Sequence, residues 1–111
     1  MAELHDATSY GEIHQAEMLG FCEVGKGGDF AESGASSVGG KLPINVSGGL
    51  VSKGHPVGAT GLSMIYELSL QLRDEAGSRQ VEGARLGLAE NGGATIGFDD
   101  AICAVTILEA G

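Results

Sequence analysis

The sequence predicts an α/β domain, and three observations carry that prediction. The elements read in the order strand, helix, strand, helix, strand, strand, the alternation of an α/β layout rather than of segregated blocks. Residues 101–108, AICAVTIL, form a nearly unbroken apolar run rich in β-branched residues, the mark of a buried strand. Between Lys53 and Glu67 no residue carries a formal charge, so the helix over 57–72 is expected to be buried on most sides. A chain of 111 residues supplies that much cover with difficulty. The helix is therefore expected between two layers, one of them from another chain or a missing half.

Taken in order, residues 2–5 read as the end of a strand. Residues 9–20 read as a helix, with Ser9 as N-cap, Glu12 as its capping-box partner and Gly20 as terminator. A glycine-rich loop over 23–28 precedes a short helical turn around Phe30 and Ala31. Residues 42–46, LPINV, suit a short strand with Pro43 confining its first half to an edge. The stretch 47–61, SGGLVSKGHPVGATG, is a loop leading into a helix, with Pro56 in the first turn and Gly77 stopping the helix after about Glu75. Leu62, Ile65, Leu68 and Leu72 are expected to form its apolar face, with Met64 elsewhere on the circumference. Residues 84–89 read as a strand and 90–100, ENGGATIGFDD, as a loop before the final strand.

Composition narrows the function. The net charge of −9 disfavours nucleic acid as a partner, because phosphate binding wants a basic surface. An anionic ligand must then be held by local features. Cys22 and Cys103 lie far apart without metal-ligand spacing, and a reduced, cytoplasmic protein is the simplest expectation. Both are expected to be structural, Cys103 as an inert core residue. No run of about 18 apolar residues offers a membrane span, and no basic region followed by an apolar stretch marks a signal peptide. Most of the 20 glycines cluster at 25–28, 39–40, 48–49, 54–61 and 92–97, where backbone must turn sharply or approach a ligand. The chain opens almost at once on His5-Asp6, as if it began inside a fold.

Three segments carry chemistry-capable residues. His55 in Gly54-His55-Pro56 stands before a helix start, where an imidazole can take a proton from a thiol or hydrogen-bond an enolate oxygen. The same eight residues, GHPVGATG, equally describe a plain helix-entry loop. His5 at a strand end could orient a catalytic water, or be a surface histidine beside a cap. Glu90-Asn91-Gly92-Gly93 could present glycine N–H groups to an oxyanion, or simply turn a hairpin. His14 is read as an exposed or packing residue, and the three histidines suggest no metal site.

Together these segments resemble the thiolase superfamily, specifically its sterol-carrier-protein-thiolase-like branch. The resemblance rests on ELHDATSYGEIHQAEMLGFC (3–22), NVSGGLVSKGHPVGATG (45–61), QLRDEAGSRQVEGARLGLAENGG (71–93) and the strand to Leu108. It implies a five-layered αβαβα sandwich of two similar halves, of which residues 1–111 look like most of the C-terminal half, with a mixed sheet and a buried helix. The N-terminal half bearing the nucleophilic cysteine would be a separate or preceding part.

In the family, the histidine of GHPxGATG activates that cysteine and helps bind the thioester oxygen, a role that maps to His55. The asparagine or histidine of its NEAF or HDCF motif helps form the oxyanion site through a water, a role that maps to His5. The resemblance also points to Asn91, Gly92, Gly93, Ser47, Gly48 and Gly49 as oxyanion or substrate-binding residues. The second acid/base cysteine of the family has no counterpart here, since the matching positions read Glu90-Asn91-Gly92 and His5-Asp6-Ala7-Thr8. Glu90 and His5 are the candidates to replace it.

The resemblance thus implies an acyl-CoA acyltransferase of acetyl-CoA acetyltransferase or 3-ketoacyl-CoA thiolase type, with a coenzyme A thioester as substrate, no covalently bound cofactor, and a homo-oligomeric state. A retro-aldolase or specialised degradative thiolase, working with a zinc-bearing OB-fold acyl-CoA-binding protein, is the related alternative. A non-catalytic subunit is the third. With no credible nucleophile among its residues, the chain alone is expected to be inactive and prone to self-association.

Overall fold

The computed structural model describes residues 1–97 and 99–111. It contains β1 (Ala2–Glu3), α1 (Ser9–Met18), α2 (Gly27–Glu32), α3 (Gly49–Lys53), α4 (Thr60–Leu72), a 3-10 turn (Gly77–Arg79), β2 (Leu86–Ile96) and β3 (Asp99–Glu109). The strands form one mixed sheet in the order β1-β2-β3. β1 pairs parallel with β2, Ala2 opposite Leu88 and Glu3 opposite Ala89. β3 runs antiparallel to β2, from Leu86 opposite Glu109 to Ile96 opposite Asp99. The architecture is the expected α/β one.

Two apolar clusters pack on the sheet. Ala2, Leu4, Ala16 and Ile44 form one, joined by Phe21, Cys22, Phe30 and Leu88. Leu50, Met64, Leu68 and Ala89 form the other, joined by Ile65 and Leu108. Leu88 and Ala89 divide between the two because successive strand residues point to opposite faces. Cys22 is thus a packing residue, and burial raises its thiol pKa.

Several expected elements differ. The N-cap of α1 is Thr8, not Ser9. Its extended backbone turns the hydroxyl to accept from Gly11 N–H at 3.3 Å. Glu12 then lies past the capping-box position and instead accepts from Asn45 Nδ2 at 3.3 Å. Residues 42–46 make only a single parallel bridge, Ile44 to Ala2. Asn45 ends it by taking a left-handed conformation, φ 52°, while its side chain accepts from Leu4 N–H at 2.7 Å. α3 lies in what reads as loop.

α4 starts at Thr60 rather than near Pro56, because Pro56 lies in a preceding turn whose carbonyl accepts from the Ala59 and Thr60 N–H groups. It ends at Leu72, before Gly77, where Asp74 goes left-handed at φ 58°. Its buried residues are Thr60, Met64, Glu67, Leu68 and Gln71, while Leu62 is 73% and Tyr66 66% exposed. The expected face is thus split: Leu68 is buried and Ile65 packs against the second cluster, joined there by Met64, while Leu62 is turned away from the sheet. Glu67 and Gln71 can be buried because they are paired. Glu67 accepts from Arg79 Nη2 at 3.0 Å and from Gln71 Nε2 at 3.0 Å, and Gln71 also bonds Arg79 O and Val81 N–H.

The segment 90–96 extends β2 instead of forming a loop, since the ladder with β3 outweighs its turn-like composition. Position 98 of that expected loop lies outside the described residues. Residues 101–107 are exposed rather than buried, because among the described residues β3 pairs with β2 alone and α4 packs against it mainly at Leu108. Cys103 is accordingly exposed, not an inert core residue. No helix among the described residues is long and apolar enough to cross a membrane.

Candidate active site

The strand end, the α3–α4 connection and the middle of β2 converge on one cavity. β1 delivers His5 two residues after its last paired residue, and Asp6 N–H bonds back to Leu4 O at 2.9 Å, turning the chain there. Behind His5, its carbonyl accepts from Gln15 Nε2 at 2.9 Å and its N–H donates to Glu90 Oε2 at 3.1 Å. The main chain at His5 is thus gripped from α1 and from β2.

His55 follows Gly54, which closes α3 at φ 93°, a conformation that favours glycine. Its ring lies edge-on to that of His5, with centroids 4.8 Å apart and planes at 73°. His55 Nδ1 meets Thr60 Oγ1 at 2.7 Å, and the Thr60 hydroxyl also reaches Pro56 O at 3.3 Å. His5 Nδ1 meets Asn91 Oδ1 at 3.2 Å. α4 can approach Asn91 because its second residue is Gly61, where a Cβ would stand 3.2 Å from Asn91 Nδ2.

The cavity these groups share has a volume of about 420 Å³. Besides His5, His55 and Asn91 it is lined by Gly92, Gly93 and small or short side chains such as Ala7, Val57 and Thr95. Of the residues singled out in the sequence, it brings together His5, His55, Asn91, Gly92 and Gly93.

It does not bring in the others. Glu90 points to the opposite face of β2. It is 3% exposed, and its second oxygen accepts from Cys103 Sγ at 3.2 Å. Ser47 binds Glu3 through both its N–H (3.2 Å) and its hydroxyl (2.5 Å), with Lys53 Nζ 2.7 Å from the same hydroxyl. Gly48 and Gly49, both left-handed, start α3. Asp6 seats on that helix start and accepts from Leu50 N–H at 2.6 Å. A Cβ on Gly49 would overlap the Asp6 carboxylate. Gly48 lines a second hollow of about 310 Å³ with Asp6, Glu12 and Asn45.

Thr60 carries no signal of its own in the sequence. Its role comes from the turn at Pro56, which folds it back onto His55. Among the described residues no group of three or more His, Cys, Asp or Glu is placed to hold a metal ion. Neither cysteine lines the cavity.

Known proteins are similar to this chain in sequence and fold. The family described as "Thiolase C-terminal domain-like" matches residues 1–108. Sterol carrier protein 2 of Oryctolagus cuniculus is 54% identical over 97 residues, covering 85% of this chain and 18% of that protein. The acetyl-CoA acetyltransferase of Methanothermobacter thermautotrophicus is 48% identical over 97 residues, covering 87% of this chain and 25% of the relative. Among solved structures, the Ltp2-ChsH2(DUF35) aldolase superposes with a TM-score of 0.76 at 29% identity, over 98% of this chain and 26% of that one. The chain thus spans about a quarter or less of the length of each of these proteins. With the family matched almost end to end, the chain belongs to the thiolase C-terminal domain-like family.

Proposed function

We propose that these residues form the C-terminal part of an acyl-CoA acyltransferase, supplying the base and the oxyanion-side groups to a nucleophilic cysteine on a preceding half. The observation that carries this is the convergence of His55, His5 and Asn91 on one small-walled cavity that neither cysteine lines. The family relationship supports the acyltransferase class.

The hydrogen bonds suggest how each group acts. If the Thr60 hydroxyl donates to Pro56 O, it accepts from His55 Nδ1–H. The lone pair then lies on Nε2, which takes the thiol proton as the thiolate attacks the thioester carbonyl. CoA leaves as its thiol, and the acyl group passes to the cysteine. If Asn91 Oδ1 accepts from His5 Nδ1–H, His5 Nε2 is an acceptor. It can hold a water whose other hydrogen faces the developing oxyanion. Glu90, turned away and committed to His5 N–H, fits an anchoring role better than that of the acid replacing the second cysteine.

The likeness to an aldolase favours a second reading, retro-aldol cleavage of an acyl-CoA, with a separate acyl-CoA-binding partner of the zinc OB-fold kind. One assay separates the readings. The 111-residue chain is tested for thioester exchange and for retro-aldol cleavage, alone and with a cysteine-bearing thiolase N-terminal half. Exchange only in the combined sample is expected. Exchange by the chain alone, or cleavage without exchange in the combined sample, overturns the acyltransferase reading.

A further inference from the structure

A glycine inside a strand weakens it and asks for a reason, commonly a close approach by something else. Gly87 has its reason within the chain. A Cβ there would come within 2.9 Å of Leu68 Cδ2, so α4 lies against β2 only because that position is bare. Gly93 is on the same face of β2, since the two are an even number of residues apart, and it has no such reason. Its backbone is not among those with positive φ. Among the described residues an added Cβ would meet no atom within 4 Å. It is paired with Ile102 in the β2–β3 ladder, so it serves no turn. Gly93 also lines the His5–His55 cavity, two residues along the strand from Asn91 on the same face.

We propose that Gly93 is a specificity-determining position, whose missing side chain leaves room for the acyl group of the CoA thioester. This rests on the acyltransferase reading. A carbonyl held at His5 and His55 sits beside Asn91. The strand advances about 7 Å over the two residues from Asn91 to Gly93. An acyl chain leaving the carbonyl along β2 therefore crosses Gly93 before reaching Thr95. Bulk at position 93 shortens the chain the cavity accepts, without touching the histidines.

The test compares wild type with Gly93→Ala and Gly93→Val in the assembled protein, cysteine-bearing half included. Acetyl-CoA and octanoyl-CoA are the probes, with thermal melting in parallel. The expected result is a graded rise in the acetyl-to-octanoyl ratio of kcat/KM, at least tenfold for Gly93→Val, at an unchanged or higher Tm. An equal loss for both thioesters, or no change for either, overturns the proposal. So does a lowered Tm or failed assembly, which would mean that a neighbouring backbone fills the space. Should wild type bind both thioesters without turning them over, the acyltransferase reading fails separately, and the same ratio is read from Kd by calorimetry. Binding of neither thioester by wild type overturns both.

Discussion

The main-chain N–H of His5 donates to Glu90, and the other oxygen of that carboxylate accepts the thiol of Cys103 on the next strand. A charged acceptor on a main-chain donor fixes where the His5 ring begins, and Glu90 is buried well enough for that bond to matter. Glu90→Gln keeps the shape and removes the charge. The expected outcome is a loss of about 1–3 kcal/mol in denaturant unfolding and a fall in thioester exchange of less than about tenfold. Proton transfer by Glu90 would instead contribute roughly 100- to 10,000-fold. A loss of that size, with stability unchanged, would return Glu90 to the role of acid.

Thr60 and His55 make the opposite pair. His55 is exposed and Thr60 is buried, so one can be removed at little structural cost and the other cannot. His55→Gln is expected to change stability by no more than about 0.5 kcal/mol and to reduce exchange by roughly 100-fold or more. Thr60→Val keeps the volume but leaves His55 Nδ1 without its partner. A smaller fall in kcat than for His55→Gln is expected, because the tautomer is no longer fixed, and Thr60→Ser, which keeps the hydroxyl, should restore it. If Thr60→Ser is as slow as Thr60→Val, Thr60 acts only through packing.

Stability should peak at mildly acidic pH, because two buried glutamates pull in opposite directions. Burial raises the Glu3 carboxyl, outweighing its bonds from Ser47 and the nearby Lys53. Ionising it costs stability, so stability rises as pH falls through its raised value and levels off below the ordinary glutamate range. Glu67 is also pushed up by burial, but the hydrogen bonds and charge of Arg79 and the bond from Gln71 overcome this and hold it low. Its contribution is complete above the ordinary range and disappears as pH falls through its depressed value. Unfolding curves across pH should show Glu3→Gln reducing the gain on mild acidification, to which Glu12, also raised by burial, contributes. Glu67→Gln should reduce the loss at lower pH, the remainder coming from Glu17, which backbone hydrogen bonds from Gly25 and Gly27 hold low. The Glu67 effect at neutrality is expected to be about 1 kcal/mol, limited by the partial exposure of Arg79.

What could be read from the sequence follows the range of the forces involved. α1 and the hairpin's second strand are local patterns, and both were legible to within a residue or two. β2 past Glu90 was not, because Asn91-Gly92-Gly93 has the composition of a turn and only pairing with Cys103 and Ile102 makes it strand. α3 is five residues long and begins with two left-handed glycines. It exists because Asp6, distant in sequence, accepts from its Leu50 N–H. The buried face of α4 is legible only in part: Leu68 and Ile65 pack where their spacing puts them, but Leu62 faces outward and the polar Glu67 and Gln71 are buried through partners distant in sequence, Arg79 and Val81. The convergence of His5 and His55 came from family resemblance, since spacing alone leaves both as ordinary loop histidines.

The contact between Asp6 and α3 gives a test of how the site is held. Gly49 has φ 59° and abuts the Asp6 carboxylate. An alanine there carries both the left-handed penalty of about 1–2 kcal/mol and a clash with a buried charged group. Gly49→Ala should lower stability by more than about 2 kcal/mol. It should also disturb the ring signals of His5 and His55 in an NMR spectrum, since Asp6 adjoins one and α3 leads into the other. Gly28→Ala, where an added Cβ meets nothing within 4 Å, is the control and should do neither.

The outer stripe of α4 should decide how the chain associates. Leu62 and Tyr66 lie one turn apart on its exposed side and Val57 is exposed just before the helix, while on β3 Ile102 and Ile107 are exposed on opposite faces of the strand. An apolar stripe along one helix marks an association surface. The 111-residue chain is therefore expected to sediment as a concentration-dependent mixture, and to bind a cysteine-bearing half through α4. Leu62→Glu puts a charge in the middle of the stripe while touching none of the buried face. It should shift sedimentation toward monomer and weaken assembly with the other half at least tenfold, at a stability cost within about 0.5 kcal/mol. A variant that assembles as well as wild type would place the contact on β3 instead, where Ile107→Lys should then have the effect denied to Leu62→Glu.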